Sequence, residues 1–169
     1  MNDEEIRLLK EKIQDHDKRI IELENILKEK KEIPCTEEKS SIKKIASKLG
    51  ITEDKIYEIF DKEETSLTVI KTIGTNDRDK TQNIALLTLY GYKIFFGNEE
   101  LLSQEIRRNV AENNVLLNNF ATYLNELTPT FLRKKGEIRS PKTTYRLTIS
   151  GAVKAKELIK NIVDLTNEV

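Results

Sequence analysis

The 169-residue chain has no tryptophan, one cysteine, one histidine, three prolines and six glycines, and its charges cancel at 29 basic against 29 acidic side chains. Cys35 alone cannot form an internal disulfide, so the fold needs no oxidising compartment, and a cytoplasmic protein is expected. His16 and Cys35 stand far apart, with no zinc spacing around either. The stretch Gly74 to Lys80 lacks the second glycine of a phosphate loop, and no nucleophile motif appears. An enzyme, a metal and a cofactor are all unexpected. Long apolar runs are missing as well: the longest, Ile84 to Phe96, is broken by Thr88, Tyr90, Tyr92 and Lys93. That argues against a membrane span, as the charges from Asp3 onward argue against a signal core. Zero net charge weakens the case for a nucleic-acid partner, but the charge is unevenly spread. Residues 128–169 carry nine basic and four acidic side chains, and every earlier stretch is slightly acidic.

What is present is apolar periodicity. Ile6, Leu9, Ile13, Ile20, Leu23 and Leu27, with His16 in the remaining place, follow a 3-4 spacing over residues 1–32. Isoleucine at most a positions and leucine at most d positions predict a parallel two-stranded coiled coil. The flanks match: Glu5 with Lys10, Lys12 with Asp17 and Arg19 with Glu24 pair opposite charges across a parallel homodimer. Pro34 ends this helix, and residues 33–40 read as a linker.

Residues 41–73 begin with two short amphipathic helices meeting at Gly50. Ala46 lets them approach, Gly50 supplies the left-handed turn and Thr52 caps the second helix, which runs to about Asp61. With Ile45, Leu49, Ile51, Ile56 and Ile59 as the core, this run resembles the helix-turn-helix family. Its would-be reading helix is acidic, with Glu53, Asp54, Glu58, Asp61, Glu63 and Glu64 placed to repel phosphate. A structural or protein-docking role is therefore expected for this module. Ser66 to Ile73 is β-branched and strand-like, and residues 74–79 read as a second linker.

Over 80–169 the pattern predicts three helices, a hairpin and a closing helix. The first runs from about Lys80 to Phe96, capped by Asn76 or Asp79 and stopped at Gly97; the second is capped by Asn98 and runs from Glu99 to Glu112; the third covers Asn114 to Leu127. Two strands follow, joined around Arg139 to Lys142, and the last helix spans Ser150 to Leu165. Leu132-Arg-Lys-Lys-Gly136 looks like a strand entering a wing. Tyr145-Arg-Leu-Thr-Ile-Ser-Gly151, continuing to Leu158, resembles the tyrosine-x-leucine-threonine-x-x-glycine run of winged-helix regulators. The resemblance, over residues 80–165, implies a winged-helix domain. The expected class is thus mainly α with a small β-hairpin: a parallel coiled coil, a helix-turn-helix module and a winged helix.

In that family the third helix commonly enters the major groove and the wing meets the backbone. Carried over, Leu116, Phe120, Leu124 and Leu127 are buried, and Asn114, Asn118, Thr122 and Asn125 form a polar stripe that could read bases. The hairpin signal is stronger. Arg133, Lys134, Lys135, Arg139, Lys142 and Arg146 set six cations against Glu137 within 14 residues, and each phosphate they neutralise releases counterions. Duplex DNA is the expected partner, bound by a homodimer acting as a transcriptional regulator or a chromatin- or nucleoid-associated protein. The alternative is a non-enzymatic protein-interaction scaffold in which both modules and the coiled coil bind partners, as winged-helix domains sometimes do.

Overall fold

The computed structural model describes residues 18, 19, 35–137, 140 and 142–167. Lys18 and Arg19 are helical and exposed. The heptad positions Ile6, Leu9, Ile13, His16, Ile20, Leu23 and Leu27 lie outside the described residues, as does Arg139 of the hairpin. The chain divides into two compact units, Met1–Glu37 and Glu38–Val169. The second is a mixed α/β body, mainly helical, with two small antiparallel sheets.

Helix α1 (Cys35–Leu49) starts immediately after Pro34, so most of the stretch expected as a linker over 33–40 is helical. Gly50, at φ 69°, ends α1. The Ile51 amide then reaches back to the Ala46 carbonyl at 3.1 Å, the closure typical of a glycine-terminated helix. Helix α2 (Glu53–Tyr57) follows Thr52, whose backbone is extended but whose hydroxyl makes no capping bond. Of the expected core, Ala46, Leu49, Ile56 and Ile59 are buried and Ile45 and Ile51 are half-buried against it, and Ile42, which the spacing did not single out, is fully buried.

Beyond Tyr57 the chain departs from expectation. In place of a helix running to Asp61, strand β1 (Phe60–Lys62) pairs with β2 (Leu67–Val69) in the register Phe60 with Val69 and Lys62 with Leu67. The helical pattern there was too short to outweigh burying Phe60, Leu67 and Val69 on α3 (Asp77–Phe96). At Gly91 of α3 an added Cβ would run into the Leu67 side chain, so the glycine admits the hairpin. The stretch 74–79 expected as a linker does not divide the core, which is one cluster from Ile42 to Val163, and its last three residues already open α3.

Helix α3 begins and ends on the expected signals: Asn76 accepts the Asp79 amide at 2.9 Å, and Gly97 takes φ 71°. It is buried around most of its circumference, the pattern of a central helix. The second helix starts later than its sequence suggests. Leu101–Leu102 form a short strand, β3, against β5 (Thr144–Leu147), and α4 (Ser103–Glu112) begins only after it, so Asn98 caps nothing and Glu99 and Glu100 lie outside the helix. Helix α5 is seven residues, Phe120–Glu126, because Asn114 turns left-handed at φ 56° and Val115, not Leu116, is buried. Leu116 is 64% exposed. Strand β4 (Leu132–Lys135) pairs with β5, giving the sheet order β3-β5-β4, and α6 (Ile149–Asn167) packs back on α3.

The run leaving the hairpin has a physical reason. The Thr148 hydroxyl accepts the Gly151 amide at 2.9 Å and donates to the Thr130 carbonyl at 2.7 Å. At Gly151 any Cβ would strike the Phe131 carbonyl. Threonine therefore starts α6 and glycine lets it lie against the entry to β4.

Candidate nucleic-acid interface

The hairpin sorts its side chains by the period of two. Leu132 and Tyr145 face the core, and Arg133, Lys135, Thr144 and Arg146 share the opposite face. Arg133 is directly opposite Arg146, and Lys135 is opposite Thr144. These four side chains, with Glu100 and the half-buried Lys134, line an open cavity of about 340 Å³. The tip is closed from within. Gly136 takes φ 100°, the Thr143 hydroxyl donates to the Glu137 carbonyl, and the Thr143 and Ser140 amides donate to the Ser140 and Glu137 carbonyls at 3.1 and 3.2 Å. Lys142 is exposed on this tip.

Pairing separates these cations from six others in the body, though Lys80, Arg107, Lys156 and Lys160 also have no ion pair among the described residues. Lys55, Lys71, Arg78, Lys93, Arg108 and Lys154 each hold a carboxylate within 3.4 Å. Among the described residues, Arg133, Lys134, Lys135, Lys142 and Arg146 have no ion-pair partner. Like charges directly opposed across a ladder cost stability. The face is thus arranged against its own electrostatics, as suits an anion arriving from outside.

The asparagine stripe is not assembled as one helix face. Asn114 lies in the left-handed turn after α4 and Asn118 in the loop before α5; Thr122 alone of the expected readers is exposed on α5, where Asn125 is half-buried. The helical spacing of Leu116 with Phe120 suggested a longer helix, and Val115 took the core position instead. The sequence reading also missed Arg107, an exposed α4 residue whose guanidinium stands 5.5 Å from the centre of the Phe120 ring at the start of α5. Its signal lay in the α4–α5 packing, which spacing along one helix does not show. Glu100, another lining residue, accepts the Thr144 hydroxyl at 3.3 Å.

In the acidic module, two of the carboxylates are in local use, Glu58 and Glu63. Glu58 bridges Lys71 at 3.0 Å and Lys55 at 3.1 Å, and these hydrogen bonds, Lys71 first, hold its carboxyl below the usual carboxylate range. Ser66 donates to Glu63 at 2.7 Å. Among the described residues no three histidine, cysteine or acidic side chains gather as a metal site, and no helix is long and apolar enough to cross a membrane. Comparison of the chain with family models, curated proteins and solved structures returns no match.

Proposed function

We propose that this chain is a non-enzymatic, DNA-binding regulator or chromatin-associated protein that meets duplex DNA through the β4–β5 hairpin of a winged-helix domain. The order α3, β3, α4, α5, β4, β5 with the sheet order β3-β5-β4 supports a winged helix. The observation that carries the function is the face of Arg133, Lys135 and Arg146, cations without carboxylate partners among the described residues. Phosphate contacts of this kind give affinity without sequence preference. The heptad over 1–32 would pair two chains, and pairing strengthens a weak contact through effective concentration.

A salt series with duplex DNA tests this. Affinity should fall steeply as salt rises, and Arg133→Ala, Lys135→Ala and Arg146→Ala should each make the slope shallower by about one. Equal binding by the triple variant sinks the reading. Two observations favour the scaffold alternative: α5 is short and offers few base-reading side chains, and the fused module is acidic. Binding to a protein with no measurable binding to duplex at low salt would establish it.

A further inference from the structure

Two cavities meet on one pair of side chains. Arg133 and Arg146 line both the cavity shared with Lys135 and Thr144 and a second one, of about 460 Å³, that extends to Thr148, Ile149 and Ser150. As register partners on the exposed face, the arginines bring two planar guanidinium forks to one place. Such forks match the oxygens of a phosphate, where ammonium groups act only as point charges.

The far wall of the second cavity is the start of α6. There the Gly151 amide is held by the Thr148 hydroxyl and the Ala152 amide by the Thr148 carbonyl at 3.0 Å. The amides of Ile149 and Ser150 precede the first intrahelical bond and have no acceptor within the helix. Over 19 residues the helix adds positive potential at this end. The bordering carboxylates are engaged, Glu99 by Lys93 at 2.8 Å and Glu100 by the Thr144 hydroxyl. Neither holds an arginine of the pair.

We propose that Arg133 and Arg146, with the first turn of α6, form a seat for one phosphate group. The seat rests on the nucleic-acid reading only for the source of the phosphate. A strand backbone and a free phosphorylated molecule present the same non-bridging oxygens. On a duplex the seat would set the register of the hairpin on the strand without reading a base.

Titration of the full chain with inorganic phosphate, followed by the amide proton–nitrogen correlation spectrum, tests the seat. Saturable shifts centred on Ile149 and Ser150 are expected, lost in R133Q/R146Q and about tenfold weaker in R133K/R146K, which keeps the charge and loses the forks. Shifts that do not saturate, that spread over all lysine-bearing surfaces, or that persist in R133Q/R146Q overturn it. With the seat established, a short duplex names the source. Displacement of phosphate by duplex assigns the seat to the strand, and duplex binding that leaves the phosphate signal in place assigns it to a free phosphorylated ligand. If duplex does not bind at all, the DNA reading falls and the seat stands as one for a free ligand.

Discussion

The two antiparallel hairpins of the body use their polar groups in opposite directions. In β1–β2 the outward edge of β2 would leave four backbone groups bare, and side chains of α3, of α4 and of the residue that caps α4 take all four. The Leu67 amide donates to the Tyr92 hydroxyl at 3.3 Å, and the Asn113 carboxamide donates to the Val69 carbonyl at 2.7 Å. The Asn109 carboxamide does both jobs of a peptide group, accepting the Val69 amide at 2.7 Å and donating to the Leu67 carbonyl at 3.0 Å. In β4–β5 the third strand β3 supplies backbone pairing, and the side chains are free to face solvent with their charges unpaired among the described residues. A strand edge must be satisfied somehow. Where helix side chains do it, the surface is committed to the fold; where another strand does it, the outer face is left available for a ligand.

The sharpest way to break this comparison is at Asn109, which is fully buried. Asn109→Leu fills similar space but strands a buried amide and a buried carbonyl, each costing about 1 to 3 kcal/mol. The chain should lose about 3 kcal/mol or more in urea unfolding, while Asn113→Ala, which frees the half-buried Val69 carbonyl and leaves the Asn109 carbonyl with its backbone donor, should cost about 1 kcal/mol. Equal and small losses in both variants would show that the edge of β2 does not depend on helix side chains.

The second hairpin was far more legible in sequence than the first. The run Leu132 to Gly136 and the run Tyr145 to Gly151 carried the strand entering the hairpin, the strand leaving it and the helix start within the chain itself. The strand β1 was not legible, since Phe60 to Lys62 continues a helical spacing and becomes a strand only through its partner β2 and the gap left by Gly91 thirty residues later. Nor was the shortening of α5: Asn114, Asn118 and Thr122 are spaced for one face, and only the left-handed turn at Asn114, with Val115 as the buried residue, shows why they are not on one helix. The cations of the hairpin could be found by counting charge. Their lack of partners could not, because it depends on which carboxylates the fold brings near.

Each region also keeps one buried tyrosine, which sharpens the comparison at high pH. Burial pushes the Tyr92 hydroxyl above its ordinary value of 10.0, with Glu105 adding to the rise and the Leu67 amide and Arg108 opposing it; burial alone raises Tyr145. In the unfolded chain both ionise near pH 10, so the folded state binds the proton more tightly. Stability should hold below pH 10 and fall as pH rises from there through the folded values, by at most about 1.4 kcal/mol per pH unit for each tyrosine. Tyr145→Phe should flatten part of that fall and leave stability at pH 7 nearly unchanged, since its hydroxyl makes no hydrogen bond among the described residues. Tyr92→Phe should flatten it too, but lower stability at pH 7, because the Leu67 amide loses its acceptor. Chemical unfolding at pH 7 and at pH 11 checks both; a Tyr92→Phe chain as stable as the parent at pH 7 would remove the hydroxyl from the edge of β2.

The smallest expected effect is the most telling, because two properties should move in opposite directions. Arg146→Gln removes one of two like charges held directly opposite each other, while the aliphatic part of the side chain and the inward contacts of Tyr145 and Leu147 are retained. Opposed like charges destabilise a ladder, so the variant should gain roughly 0.2 to 1 kcal/mol in thermal or urea unfolding at low salt, with the gain shrinking as salt screens the pair. Duplex affinity should fall, with a salt slope shallower by about one. A cation kept only for the fold would behave in reverse, costing stability on removal and leaving binding alone. A gain in stability coupled to a loss of phosphate affinity is the mark of a residue whose position serves a ligand, and it would place the second hairpin, unlike the first, among surfaces kept at some expense to the fold.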